Sequence, residues 1–414
     1  MSVVPNLLQL NQDCNCFPIE SAEVRASIIA QAGHADMKAL LSEREHYFAA
    51  TPVFIAPEMV AEMQTQITTI EQLMALPNYQ EDIFKHSALA AFAPTKSTQG
   101  VFMGYDFHIT EAGPRLIEIN SNAGGAFIVA AIQRAIELPH QEIEDSIIDM
   151  FQTEWRLSGR TQELTSIAII DEDPQSQFHY PDMLLAADLF ERHGLRAKIV
   201  DAKDLNYKNG GVFVGETEID LIYNRLTDFD LSELAHKNLR QAWLDEAVVL
   251  TPDPRHHAVY ADKRNLTLLT DVKKQQAYGL SAKQKHFLSR LPKTIVIKPE
   301  NAEALWAQRK DYFFKPRAGF GGKAVYKGAK LTRKKWTHIL EGGYVAQEFI
   351  RPPLRLIGST KPVKTLKYDV RVYSYGGQPL LMAARVYQGQ VTNLRTDGGG
   401  LAPVVEVINS PCEG

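Results

Sequence analysis

The chain has 414 residues, 45 Lys plus Arg against 49 Asp plus Glu, and a formal net charge of −4. At roughly 100–200 residues per domain that length holds a large core split over two to four lobes, and the balanced charge offers no footprint for nucleic acid or an anionic membrane. Cys14, Cys16 and Cys412 are odd in number and too few for a secreted disulfide framework, so a cytoplasmic protein with small-molecule partners is expected.

The opening MSVVPNLLQLNQDCNC lacks a basic n-region and an apolar h-region, and no apolar run approaches the ~20 residues that span a bilayer. The CxC of Cys14 and Cys16 has no second cluster to complete a zinc site and reads as ordinary thiols. Val60, Met63, Ile67, Ile70 and Met74 recur at helical spacing after Pro57, which predicts an amphipathic helix over 57–76. Val101, Met103, Tyr105, Phe107 and Ile109 then alternate with Gly104, Asp106 and His108 as in a half-buried strand. A turn at Glu111–Pro114 follows, and a second strand over 116–120 puts Glu118 and Asn120 on one face.

From about residue 166 the texture changes. SIAIIDED, AKIVDAKDL and IDLIYNRL read as strands and DMLLAADLFERHG as a helix, an α/β layer with parallel strands. His256–His257 reads as a surface pair, because adjacent residues diverge on either a helix or a strand. From about 293, strands alternate with glycine-rich loops, giving α+β lobes around a cleft.

Three constellations could carry chemistry. Lys315-Pro-Arg-Ala-Gly319-Phe-Gly321-Gly322-Lys323 brings close-approaching backbone N–H groups and two cations to an anion, as a phosphate lid does, or is a solvated hairpin turn. It is no Walker loop, since Arg317 and Ala324 stand at required positions. Its GxGxxA match precedes AVYKG, a strand rather than the helix a dinucleotide site needs. With the hairpin loop centred on Ala112, Asp106 lies opposite Glu118 and beside Asn120. Two facing carboxylates ask for compensation, which Mg²⁺ carrying nucleotide phosphates would supply; the other reading is a solvated acidic face. Asp369 and Arg371 share a strand face, so the carboxylate can orient the guanidinium, and with Arg385 on the next strand the arginines could hold a transferring phosphoryl group; the other reading is a cross-strand salt bridge.

Taken together, residues 100–127 and 262–400 resemble the ATP-grasp carboxylate–amine ligases, a superfamily that includes glutathione synthetase. Ala261-Asp262-Lys263 and Lys315 look like the two lysines that reach ATP, Gln347-Glu348-Phe349-Ile350 like the hinge that holds adenine, and Asp369, Arg371, Arg385, Asn393 and Gly398–Gly400 follow in family order. In most of those ligases the Asp and Glu-x-Asn metal hairpin ends the chain. Here Asp106, Glu118 and Asn120 come first, as in the circularly permuted branch of glutathionylspermidine synthetase. Gly104 stands where that branch tends to carry an arginine.

The resemblance implies an α/β (α+β) ATP-grasp fold, circularly permuted and carrying a Rossmann-like substrate layer. Residues 1–160 would hold N-terminal helices and the metal hairpin, 161–260 the Rossmann-like layer, and 261–414 the ATP-grasp lobes. It also implies ATP and Mg²⁺ as cofactors: Lys263, Lys315, Gly319, Gly321, Gly322, Gln347, Glu348, Ile350 and Asn393 around the nucleotide, and Asp106, Glu118 and Asn120 around the metal. Arg371 and Arg385 would act on the phosphoryl group. Arg225, at the strand end Ile222-Tyr-Asn-Arg225, is a candidate to grip a substrate carboxylate, or else makes a surface salt bridge. The expected reaction joins a carboxylate to an amine through an acyl phosphate. A phosphotransferase and a non-catalytic nucleotide-binding scaffold remain alternatives, and sequence does not choose the substrates or the oligomeric state.

Overall fold

The structure, a computed structural model, describes residues 10–12, 21–49, 51–87, 98–137, 141–319, 324–357 and 364–407. Cys14, Cys16, Cys412, Gly321 and Gly322 lie outside these. Among the described residues eighteen strands form four sheets. The largest takes β1 (Val53–Ile55), β2 (Met103–Thr110), β3 (Gly113–Asn120), β15 (Leu354–Ile357), β16 (Lys364–Tyr375), β17 (Gln378–Tyr387) and β18 (Gly400–Glu406). Its order is β1-β18-β17-β16-β2-β3, with β15 also on β16. The N-terminal hairpin β2–β3 therefore completes a sheet whose other long strands come from the end of the chain.

A parallel sheet has the order β10-β9-β4-β5, from β4 (Ser166–Asp171), β5 (Arg196–Asp201), β9 (Leu221–Asn224) and β10 (Val249–Thr251). Three short strands, β6 (Asn206–Lys208), β7 (Gly211–Val214) and β8 (Thr217–Ile219), make a small sheet between β5 and β9. An antiparallel sheet of order β11-β14-β12-β13 uses β11 (Thr294–Val296), β12 (Tyr312–Pro316), β13 (Tyr326–Lys327) and β14 (Tyr344–Glu348). The strand after the glycine loop, β13, is where AVYKG predicts one.

The predicted helix over 57–76 is Pro57–Met74, and a second helix, Pro77–Phe84, starts three residues later. The first packs Met63, Ile67, Ile70 and Leu73 on the face of the large sheet that carries Tyr105, Phe107, Val370 and Val372. The opposite face divides. At one end Tyr373, Ala383 and Leu401 are covered by the helices Ala126–Ala135 and Gln141–Leu157. At the other, the antiparallel β11–β14 sheet stands off and leaves a cleft. β2 is thus buried along its length except at Thr110, not half-buried as its alternation predicts, because its polar face is roofed by a second lobe. Among the described residues no helix is long and apolar enough to cross a membrane.

Candidate active site

The polar face of the large sheet is built by strand register. Asp106 pairs across to Glu118 on one side and Arg371 on the other, Gly104 pairs with Asn120, and Asp369 pairs with Arg385. Directly paired residues share a face, so these side chains form one row across four strands. Between Asp106 and Phe107 the register shifts, which leaves Ile117 as an extra residue in β3. A bulge frees backbone groups from the ladder; the Ile117 carbonyl accepts a hydrogen bond from Lys315 Nζ at 3.0 Å.

Asp106 is fully buried and accepts four hydrogen bonds. Arg371 donates from Nε and Nη2 at 2.7 and 2.8 Å, Arg385 from Nη2 at 2.7 Å and Asn120 from Nδ2 at 3.1 Å. Burial opposes its charge, but the two guanidiniums outweigh burial and hold the carboxyl well below the usual carboxylate range. Arg385 Nε also donates to Asp369 at 2.6 Å. Asp369 moves the other way: burial pushes its carboxyl up and the charge of Asp106 adds to this, against the pull of Arg385. Arg371 is therefore oriented by Asp106 and not by Asp369, its neighbour two residues back, because a cross-strand partner is closer than the next residue on the same face. Gly104 makes room for this: a Cβ there would lie 2.6 Å from the Ala123 Cβ and 3.4 Å from Arg371 Nε. The guanidinium of Arg371 reaches the space beside residue 104 from the neighbouring strand.

Lys263 and Lys315 meet Glu118 at the cleft edge. Lys263 Nζ lies 3.0 Å from Glu118 Oε1 and donates to the Gly319 carbonyl at 3.0 Å. Burial raises the Glu118 pKa and the two lysines more than offset it, so the carboxyl is lowered. The Lys315 ammonium is lowered, by burial first and by the charge of Lys263, with Glu118 opposing. The cleft is lined by Glu118, Asn120, Lys263, Lys315, Gly319, Gln347, Glu348, Ile350, Arg371 and Arg385 among others, so these expected residues converge. Asn393 does not line it. Its amide donates to the carbonyls of Gln388 and Val391 and its oxygen accepts from Arg395 N and Thr396, which staples the loop that carries Val391 and Thr392 to the cleft wall.

The oxygen set fits a hard cation in part. Glu118 has carboxylate oxygen at the cleft, and Asn120, whose nitrogen donates to Asp106, turns its amide oxygen away from that bond. Asp106 has its lone-pair sites taken and reaches a cation only if a guanidinium gives up a hydrogen bond.

Arg225 lies outside the cleft, one loop away. It follows β9, at the point of the parallel sheet where the chain turns from the β4–β5 side to the β9–β10 side; ligands of open α/β sheets gather at such points. Its Nη1 donates to the Asn122 carbonyl at 2.9 Å and lies 3.2 Å from Tyr223 Oη. Its Nε is buried and has no acceptor among the described residues. Asp171, at the end of β4, is pushed up to about 6 by burial against the pull of Arg225.

Two histidine findings lie beyond the sequence reading. His256 and His257 are both buried, not a surface pair. The turn that starts at Pro254 lets His256 cap against Asp253 and bond the Thr98 carbonyl, while His257 bonds Ser121 and stacks on Phe229 at 4.4 Å. His108 is a cleft residue that no motif marks. Its Nδ1 lies 3.0 Å from the Ile350 carbonyl, and burial lowers it to about 4. Its signal was only its place on the Asp106 face of β2.

Two sheets clasping a cleft edged by lysines, carboxylates and arginines, with the hairpin that completes the larger sheet supplied from the N-terminal third, make this an ATP-grasp fold in permuted order. No protein-family model matches the sequence, nor does any curated protein. Among solved structures the chain is similar to a glutathione synthetase-like effector from Globodera pallida in its apo form: TM-score 0.57, 10% identity, 94% of this chain and 96% of that one covered. Further matches are a putative gamma-glutamylcysteine synthetase from Methylobacillus flagellatus (TM-score 0.46, 10% identity, 84% and 87% covered) and the ATP-grasp ligase PsnB (TM-score 0.29, 15% identity, 54% and 89% covered). At that identity the first likeness is one of fold.

Proposed function

We propose that the chain is an ATP-dependent ligase that joins a carboxylate to an amine and releases ADP and phosphate. The observation that carries this is the convergence of Lys263 and Lys315 on Glu118, beside the ion-paired row Asp106, Arg371, Asp369 and Arg385, in one cleft between two sheets. Phosphoryl transfer needs mainly positioning and charge neutralisation, which this set supplies.

In this reading Lys263 and Lys315 take the ATP phosphates, and the hinge from Gln347 to Ile350 takes the base. Glu118 and Asn120 would hold Mg²⁺, which when bound neutralises charge on the phosphates. A substrate carboxylate oxygen attacks the γ-phosphorus, and the bond to the β-bridging oxygen breaks with ADP as leaving group. Arg371 and Arg385, held by carboxylates and so fixed in direction, stabilise charge on the transferred group. The amine nitrogen then attacks the acyl carbon, the C–O bond to phosphate breaks, and the amine loses a proton. Arg225, with a buried Nε lacking an acceptor, is the group that takes a carboxylate of the substrate.

The test is a phosphate-release screen of the purified chain with Mg-ATP against pooled carboxylates and amines. ADP and phosphate in equal amounts, formed only when both substrates are present, is the expected result. AMP and pyrophosphate would overturn it, and a stable phosphorylated substrate as the sole product would make the chain a phosphotransferase.

A further inference from the structure

Charge is unevenly distributed along this chain. Residues 291–351 hold 13 Lys and Arg against 5 Asp and Glu, so this lobe is +8 within a chain of net −4, and the remainder is −12. Folding concentrates the excess. The turn Gly328–Lys330 lies against the turn Arg309–Asp311 so closely that a Cβ on Gly328 would sit 1.7 Å from the Arg309 carbonyl oxygen. That contact brings Arg309 and Lys310 beside Lys327 and Lys330. Arg333 joins them, because its guanidinium and that of Arg309 lie over the same Trp306 ring at 4.0 and 4.2 Å.

The neighbouring ion pairs are Arg115–Glu348, His338–Glu341 and Lys364–Asp397. None of Arg309, Lys310, Lys327, Lys330 and Arg333 enters an ion pair among the described residues. Like charges this close repel, a cost that an anionic partner would remove. The cluster also borders the cleft. Lys327 pairs in register with Phe313, a cleft-lining residue, and its ammonium lies 4.3 Å from the Phe349 ring, which in turn packs on Phe313. Across the mouth, the Lys367 ammonium of β16 is lowered by burial and then by the charges of Lys327 and Lys330, so the cationic surface continues onto the other lobe.

We infer that this surface docks a polypeptide segment rich in Asp and Glu beside the cleft mouth. Two observations favour such a segment over nucleic acid. A long polyanion would meet the −12 carried by the rest of the chain, whereas a short acidic run meets only the patch. Single-stranded nucleic acid also needs open aromatic faces on which to stack. Here Trp306 lies under two guanidiniums, Phe349 under Lys327, and Tyr326 under Lys335 at 5.5 Å. The inference is independent of the ligase reading, since it concerns binding alone.

The test is fluorescence anisotropy of labelled octaglutamate with the full chain at low and raised salt, beside a labelled single-stranded octanucleotide. The comparison variant is Lys330→Glu/Arg333→Glu, two exposed positions outside the cleft. Octaglutamate should bind, weaken as salt rises, and weaken about tenfold or more in the reversed variant, where attraction becomes repulsion. The variant should keep its melting temperature and its affinity for a non-hydrolysable ATP analogue. Equal binding by the two proteins, no binding by either, or tighter binding of the oligonucleotide would each overturn the inference. So would a loss of nucleotide affinity in step with peptide affinity, which would make the patch part of the nucleotide site. Sedimentation that shows self-association abolished by the reversal would give the surface to a second copy instead.

Discussion

Three arginines, two buried and one half-buried, offer the same chemical edge in two regions of the molecule and meet different fates. In the antiparallel sheet, Arg371 spends its Nε and Nη2 on Asp106, and Arg385 spends the same pair of atoms on Asp369 and Asp106. At the end of the parallel sheet, Arg225 hydrogen-bonds through Nη1, and among the described residues its buried Nε has no acceptor. The first region is neutralised internally and comes pre-aimed. In the second, Asp182 and Asp171 act on Arg225 through their charge while its Nε stays open to an arriving anion, the expected difference between machinery that acts on every substrate and a group that recognises one.

The widest way to break this comparison is to remove the shared carboxylate. Asp106→Asn leaves Arg371 without a counter-charge and Arg385 with Asp369 alone, and breaking a buried pair in this way costs about 3–5 kcal/mol. Arg225→Gln removes a buried cation that donates to the Asn122 carbonyl but hydrogen-bonds no carboxylate among the described residues, so it should cost less, about 1–3 kcal/mol, while the KM for the carboxylate substrate rises. Urea unfolding of both variants decides it: equal losses would erase the distinction. Next in size is Lys315→Ala, which removes one charge-assisted phosphate contact of ~1.5–3 kcal/mol, or about 10- to 150-fold in ATP affinity. Calorimetry with a non-hydrolysable nucleotide reads this directly, and unchanged affinity would detach Lys315 from the nucleotide.

A smaller effect sharpens the comparison through pH. His257 is held neutral by burial, with its pKa lowered to about 3. Below about pH 6.5 the unfolded chain binds a proton there that the folded chain refuses, so stability falls with acidification from about 6.5 towards 3. His257→Gln should flatten that limb by about 1.4 kcal/mol per pH unit. Denaturant unfolding at several pH values checks it, and an unchanged slope would mean that the imidazole charges inside the fold. The smallest effect belongs to Glu406, which is exposed and pairs with Ile55 at the far edge of the large sheet. Glu406→Ala should be nearly silent in Mg²⁺-dependent turnover while Glu118→Ala abolishes it. The reverse pattern would move the site to the end of the chain.

The sequence made local relations legible and left distant ones hidden. Period-two alternation and a turn at Ala112 set Asp106 opposite Glu118, and the two do pair, although the hairpin turns between Glu111 and Ala112 and it is the extra residue Ile117 that brings Glu118 into line. The parallel strands and the first long helix were equally readable, since hydrophobic spacing is a local property. What Asp106 faces on its other side is a strand 265 residues later, and no spacing rule reports that. The sequence reading gave Arg371 to Asp369 because only same-strand neighbours can be counted. His256 and His257 went astray for a related reason: their burial comes from Asp253, Thr98, Ser121 and Phe229, most of them distant in the chain. The bulge that frees Ile117 for Lys315 has no sequence mark either.

The most direct test of the ligase reading follows one oxygen atom. If the carboxylate attacks the γ-phosphorus and the amine later displaces phosphate, an oxygen of the carboxylate leaves on that phosphate. A substrate found by the phosphate-release screen and labelled with ¹⁸O in its carboxylate should therefore give phosphate carrying one labelled oxygen per amide formed, read by mass spectrometry. Unlabelled phosphate alongside amide formation would contradict an acyl phosphate and, with it, the roles given to Lys263, Lys315, Arg371 and Arg385.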